Sequence, residues 1–311
     1  MKLLLFADLH LSFKNLSFAI EALKRVFEIA QEKKINHIIS LGDLFHNRAY
    51  VHVDTIKEFC GVLDKYYITK NKANSFYNIT GNHDRFDKKA SFINAIKNVI
   101  CIDEPSKFIL DSNKHIFMIP YNFKDVEIPQ GTRVVLGHLE LDTEYANVKG
   151  DFPTEKLKHI PLVLLGHIHK AGIIKPYKNI QYLGSAFRQS FADEKSLPKC
   201  IILDTETLAL EEFELPSPTY QTINFGEQAK EDVDFVRVQI TNALEAKKAK
   251  KAHPKAKIQI VSTLSTSPIF DTEKIDKVDS ILAKFIENNS DLSNTLDQKR
   301  LLELGVELCQ K

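Results

Sequence analysis

Short, uninterrupted apolar runs recur along the first part of this chain: KLLLFA (2–7), HIISL (37–41), SFYNIT (75–80), HIFMIP (115–120), RVVLG (133–137) and LVLLG (162–166). An alternating pattern would mark strands with one wet face. Continuous runs mark strands buried on both faces, and only a layered fold buries them so. Helical patterns lie between the runs. In SFAIEALKRVFEIAQEKK, Ile20, Leu23, Phe27 and Ala30 recur at helical spacing; VDTIKEFCGVLDKYY follows the second run and KKASFINAIKN (88–98) the third. The expectation is an α/β layered architecture, a sheet with helices on each side.

Further on the pattern changes. QYLGS (181–185) and KCIILDTETLALEEFEL (199–215) read as closing strands with a hairpin turn at Asp204-Thr205-Glu206-Thr207. Pro216-Ser217-Pro218 marks a boundary. FVRVQIT (235–241), a Lys-rich helical stretch (243–253) and KIQIVST (257–263) read as a small β-α-β unit. Residues 264–271 read as a linker. The tail reads as two helices broken near Asn288-Asn289-Ser290, with Ile275, Val278, Leu282 and Phe285 at a/d spacing and Leu301, Leu304 and Leu308 as a second stripe. The 311 residues thus divide into 1–215, 216–263 and 264–311.

Five of the strand-like runs end in chemistry. LLLFA gives Asp8-Leu9-His10, HIISLG gives Asp43, FYNITG gives Asn82-His83-Asp84, VVLG gives His138, and LVLLG gives His167-Ile168-His169. Four of the five have Gly before the polar residue, where a tight turn projects the next side chain over the strand edge, and Gly81 is expected to supply φ > 0. Ligands bind outside the carboxyl ends of strands in open α/β sheets, so the five clusters can converge. Their donors are nitrogen and oxygen without sulfur, which suits manganese, iron or zinc. Seven donors exceed the needs of one ion; two ions sharing a carboxylate, a recurring device for phosphoryl transfer at separations of roughly 3.5–4 Å, would use them all. Each motif alone is explained by turns or capped histidines. Their joint occurrence, each after an apolar run, is not. His37, His52, His115, His159 and His253 have no such setting.

The ordered set D-x-H, G-D, G-N-H-D, H, G-H-x-H resembles the calcineurin-like metallophosphoesterases over about residues 1–215. GDLFHNR (42–48), LGHLEL, LGHIHK and YLGSAFRQSFADE resemble one branch of it, the nuclease subunits of double-strand-break repair complexes, such as bacterial SbcD and the phage recombination endonuclease subunit. The resemblance implies a layered β-sandwich core flanked by helices, a small α+β DNA-capping domain and a C-terminal helical segment. It implies two divalent ions, by preference manganese: one on Asp8, His10, Asp43 and His169, the other on Asp43, Asn82, His138 and His167. His83 would be the catalytic histidine and no ligand. His46 would position the DNA strand. Asp84 is expected to orient the His83 ring by accepting from its other nitrogen. The partners implied are DNA, an ABC/SMC-like coiled-coil ATPase held by the C-terminal helices, and a second copy of the chain through helices near 51–67 and 88–98.

The remaining signals limit the class. A net charge of +1 gives no global basic signature, so DNA contact would rest on a local patch such as Lys247, Lys248, Lys250 and Lys251, which a solvated helix face explains equally well. Cys60, Cys101, Cys200 and Cys309 are too scattered for a thiolate zinc site or a disulfide framework, which fits a reducing compartment. The five-residue apolar run before Asp8 is too short for a signal peptide core, and no run could span a bilayer, so a cytoplasmic protein is expected. The competing readings are a phosphatase or cyclic-nucleotide phosphodiesterase of the same fold, and a catalytically silent scaffold, which retention of every ligand argues against.

Overall fold

The computed structural model describes residues 1–48, 50–65, 74–85, 91–110 and 114–260. The linker at 264–271 and the paired C-terminal helices expected beyond it lie outside the described residues, as does the end of the strand expected over 257–263.

The strands are β1 (Lys2–Phe6), β2 (His37–Ser40), β3 (Ser75–Ile79), β4 (Val99–Ile102), β5 (Ser106–Ile109), β6 (His115–Ile119), β7 (Thr132–His138), β8 (Leu162–Gly166), β9 (Gly172–Ile173), β10 (Ile180–Tyr182), β11 (Lys199–Asp204), β12 (Leu210–Glu214), β13 (Tyr220–Asn224), β14 (Phe235–Ile240) and β15 (Lys257–Ile260). The α-helices are α1 (Leu16–Glu32), α2 (Val53–Leu63) and α3 (Ala243–Ala252). One six-stranded sheet runs β12-β11-β1-β2-β3-β4 and a second runs β5-β6-β7-β8-β10-β9. β1 to β4 are mutually parallel, as are β6, β7, β8 and β10, so their carboxyl ends lie along common edges.

The alternation of side chains explains why the apolar runs are continuous. From β1, Leu3 and Leu5 pack with Ile116, Met118, Val134 and Leu164 of the second sheet. Leu4 and Phe6 point the other way, onto Leu23, Val26 and Phe27 of α1 and Phe59 of α2. Full burial of such a side chain is worth about 1.5–3 kcal/mol, so a polar residue at any of these points would be costly. The expectation of helices on each side of a sheet is therefore half right. α1 and α2 cover one face of the first sheet, but its other face is covered by the second sheet. The far face of the second sheet, with Val135, Val163 and Leu165, is covered by Leu139, Leu141, Phe152 and Leu157 from the long β7–β8 connection.

One expectation fails locally. Of the helix expected over 88–98, the described residues 91–98 form only a single 3-10 turn at 92–95; Asn98 adopts left-handed φ of 68°, and β4 follows at once. β4, β5, β9 and β13 carried no distinct sequence signal because they are short or half exposed. Beyond Pro218 a third sheet forms, β13-β14-β15, all parallel, with α3 crossing between β14 and β15 as the expected β-α-β unit. Asn242 caps α3, its side chain accepting from Glu245 N–H.

Candidate metal centre

The strand-end residues reach one place by strained turns. Asp8, His10, Asp43 and His167 are non-glycine residues at left-handed φ, 54°, 44°, 52° and 89°. Such a backbone costs of order 1–3 kcal/mol per residue and clusters at functional sites. The turn at His167 also breaks the strand, so the two imidazoles of the G-H-x-H motif serve different clusters. The glycines before these residues matter for space, and Gly42, at φ 98°, for its left-handed backbone as well. A Cβ on Gly42 would lie 2.3 Å from His138 Nδ1, and one on Gly166 would lie 2.4 Å from the Leu41 carbonyl. Gly81, contrary to expectation, is not in the left-handed region; its missing Cβ makes room for Asp43, whose Oδ1 would be 2.2 Å away.

Two compact groups of donors result. Asp8, His10 and His169 offer ligand atoms all within 4.8 Å of one another, and so do Asp43, His138 and His167. Asp43 also reaches the first group, its Oδ2 lying 3.4 Å from His10 Nε2, while its Oδ1 lies 3.4 Å from His138 Nε2. Asn82 joins the second group, with Oδ1 3.0 Å from both His138 Nε2 and His167 Nδ1.

The donor chemistry of these groups calls for cations. His138 Nδ1 donates to the Leu41 carbonyl at 2.8 Å, and His167 Nε2 donates to Glu140 Oε1 at 2.5 Å. Each ring then turns its other nitrogen toward Asn82 Oδ1 and Asp43, as a lone pair on His167 and as a lone pair on His138 once that ring is neutral. Rotating the Asn82 amide would offer an NH2 group to His138, His167 and Asp43. With His138 neutral, two hydrogens cannot serve three acceptors; one cation can. In the first group His169 Nδ1 lies 3.5 Å from Asp193 Oδ1, which leaves its Nε2 facing His10 Nε2 at 3.2 Å. Glu140 and Asp193 stand behind His167 and His169 as carboxylates do behind metal-ligating histidines, fixing tautomer and orientation. Neither stood out in the sequence, although Glu140 lies two residues beyond His138 in GHLEL.

Electrostatics follow from burial and crowding. Asp8, fully buried, is pushed up to about 7, chiefly by desolvation. Burial also works to raise Asp43, but the charge and hydrogen bond of His138 outweigh it and hold that carboxyl well below the usual range. Burial likewise opposes charging His138, yet Asp43 and Asp8 raise it to about 9. His10 is driven well below its ordinary value by desolvation, and His167 is lowered to about 4 by desolvation and then by the charge of His138. Without a cation, the proton on His138 neutralises Asp43.

The other expected residues are placed as follows. His83 sits at the mouth; its backbone N–H donates to Asp43 Oδ1 at 2.8 Å and its Nδ1 to the His46 carbonyl at 2.5 Å. The expected pairing of Asp84 with the His83 ring is not formed. Asp84 is fully buried and accepts from Gly81 N–H, Asn78 Nδ2 and Phe45 N–H at 3.0–3.2 Å. It thus ties the turn after β3 to the turn after β2, and burial raises its carboxyl to about 6. The orienter of the His83 ring is the backbone of His46. The exposed His46 ring stacks on His83 with centroids 5.3 Å apart, and its Nδ1 lies 3.3 Å from His10 Nδ1, so His10, His46 and His83 form a further close group. Lys247, Lys248, Lys250 and Lys251 stand exposed on α3, outside the clusters.

Residues 1–171 match the family model of the calcineurin-like phosphoesterases. No curated protein matches the chain. Among solved structures the chain is similar to a dimetal phosphatase from Danio rerio, at 11% identity and a TM-score of 0.40, over 58% of this chain and 86% of that one.

Proposed function

Since this chain belongs to the calcineurin-like phosphoesterase family, whose members hydrolyse phosphoester bonds with metal ions, we propose that it is a two-metal phosphodiesterase acting on DNA ends. The observation that carries the diester reading is open space on both flanks of the clusters. A diester has substituents on two sides of phosphorus, and both need room. On one side a cavity of about 500 Å³, bounded by His46 and Gln189, has room for a nucleoside; on the other a small cleft of about 60 Å³, the space of about two waters, is bounded by Tyr121, His138 and Glu140 and leaves only the start of the second substituent room. The exposed ring of His46, between the larger cavity and His10, supports DNA as the diester, because it stands where a strand would be turned toward the clusters.

On this reading Asp8, His10, His169 and Asp43 hold one divalent ion, manganese by preference, and Asp43, Asn82, His138 and His167 hold the other. The ions, when bound, supply Lewis acidity toward the phosphoryl oxygens and a lowered pKa for water. The chain's own residues do the rest. Asp43 spans both groups and sets their separation. Asn82 and the two imidazoles offer neutral donors at the position the second ion needs, once His138 has given up its proton. His83, its Nδ1–H held by the His46 carbonyl, presents Nε2 to the leaving oxygen and protonates it as a general acid. The exposed lysines of α3 contact phosphates. The apolar stripes at Ile275–Phe285 and Leu301–Leu308 dock a coiled-coil ATPase, and the exposed start of α2, with Val53 76% accessible, pairs two copies of the chain.

The test is manganese-dependent cleavage of linear double-stranded DNA, set beside a phosphoprotein and a cyclic nucleotide, with and without an ATPase partner. Cleavage of DNA alone supports the proposal. Turnover of either other substrate without DNA cleavage would replace it with the phosphatase or cyclic-nucleotide reading. Removing residues 271–311 should abolish ATPase capture in a pull-down and leave DNA cleavage by the isolated chain.

A further inference from the structure

The larger cavity is not shaped for a sugar–phosphate backbone alone. Its wall is aromatic: Phe13, Phe18, Tyr50, Tyr220 and Phe235 all line it. Phe13, Tyr50 and Phe235 are 57%, 74% and 41% accessible, unusual for large apolar rings outside a binding surface. Three of the rings already show face-to-face geometry. Phe13 stacks on His52 with centroids 4.2 Å apart at 30°, and Tyr220 on Phe235 at 4.9 Å and 20°. Among the described residues, Lys14 is the one fully charged residue on the wall, and no carboxylate lines it. The floor is shared with the metal centre: Gln189 donates through Nε2 to the Asp8 carbonyl at 3.2 Å, and His46 touches both His10 and the cavity.

We infer that this cavity is a base-stacking subsite that takes an unpaired nucleotide of the DNA strand whose phosphate lies at the clusters. The inference rests on the DNA-phosphodiesterase reading and deepens it. Bases of any identity stack on aromatic faces, and the described wall, with Lys14 and no carboxylate, does not repel the attached phosphates. A base inside a duplex is stacked and paired and cannot enter without being taken out of the helix. The substrate is therefore a single-stranded or frayed end. The volume of about 500 Å³ falls in the usual range for small-ligand pockets, roughly 300–1,000 Å³, and holds a nucleoside with room for its neighbour's sugar.

The test uses the full chain and a single-stranded oligonucleotide ending in 2-aminopurine, whose fluorescence falls on stacking. A second oligonucleotide is abasic at the same end. Wild-type protein should quench the 2-aminopurine and bind the abasic strand less tightly. Phe13→Ala should remove the quenching and weaken binding of the intact strand roughly tenfold, leaving the abasic strand unchanged. Phe13→Leu, which keeps apolar bulk but no π face, should do the same; it carries the test if Phe13→Ala fails to fold, which thermal melting would show. Equal binding of intact and abasic strands, or quenching undiminished in Phe13→Leu, overturns the base subsite while leaving the nuclease reading in place. If neither strand binds and no DNA is cut, the nuclease reading itself fails. A phosphotyrosine peptide that competes where the oligonucleotide does not would assign the pocket to another ligand.

Discussion

Gly81→Ala isolates the space that the metal centre needs. The new Cβ would sit 2.2 Å from Asp43 Oδ1 and 2.4 Å from Asp43 backbone N. A relaxed carbon–oxygen approach is about 3.3 Å. Asp43 or the turn after β3 must then yield by about 1 Å. The backbone nitrogen cannot rotate away as a side chain can, so the turn itself is displaced. Because Gly81 is not in the left-handed region, no conformational penalty confuses the reading. Overpacking of this kind costs about 1–3 kcal/mol of stability. The larger effect falls on function, since Asp43 belongs to both donor groups and a displacement of about 1 Å in a catalytic constellation can cost about a hundredfold. Manganese titration by calorimetry and hydrolysis of bis(p-nitrophenyl) phosphate should each fall by about that factor, while urea melts show a folded chain. Gly61→Ala is the control: nothing lies within 4 Å of its Cβ in α2, and it should stabilise the protein by about 0.4–1 kcal/mol. Wild-type metal affinity and turnover in Gly81→Ala would refute the argument that Asp43 sits against this turn as a shared ligand.

Glu140→Gln exchanges the carboxylate behind His167 for an amide, and manganese affinity should fall about 10- to 100-fold with the fold intact; an unchanged titration would show that the 2.5 Å contact does not orient the ring. His83→Ala should abolish diester hydrolysis while calorimetry still detects metal binding, and loss of both together would place His83 among the ligands. Cation binding must displace the proton that His138 holds up to about 9 and the one that Asp8 holds up to about 7. Affinity should therefore rise from pH 6 to pH 8, by up to about tenfold per pH unit for each proton released, and a flat profile would contradict the charge pairing described. Asp84→Asn removes charge without removing bulk. Its partners Gly81, Asn78 and Phe45 all donate, so one carboxylate oxygen would be replaced by a donor facing a donor, and a loss of about 1–3 kcal/mol is expected in thermal melts.

Much of the molecule is written in local sequence. Period and polarity suffice to place β1, β2, β3, β7 and β8, because each must be buried on both sides, and to place α1 and α2, whose apolar stripes must meet a sheet. The seven metal-ligand candidates are legible for the same reason: a polar residue directly after a buried run needs a special explanation. Tertiary structure decided what those residues face. That the second face of β1 meets another sheet rather than a helix depends on pairing across more than a hundred residues, which no window of sequence encodes. Glu140 and Asp193 are ordinary surface carboxylates until the fold sets them behind His167 and His169. Asp84 looks like a partner for its neighbour His83, yet its turn aims the carboxylate inward at backbone N–H groups, and the His46 carbonyl, brought in from the turn after β2, takes the ring instead. Residue chemistry and strand ends belong to the sequence. Which lone pair meets which proton belongs to the packing of two sheets against each other, because only that packing fixes distances to within an ångström.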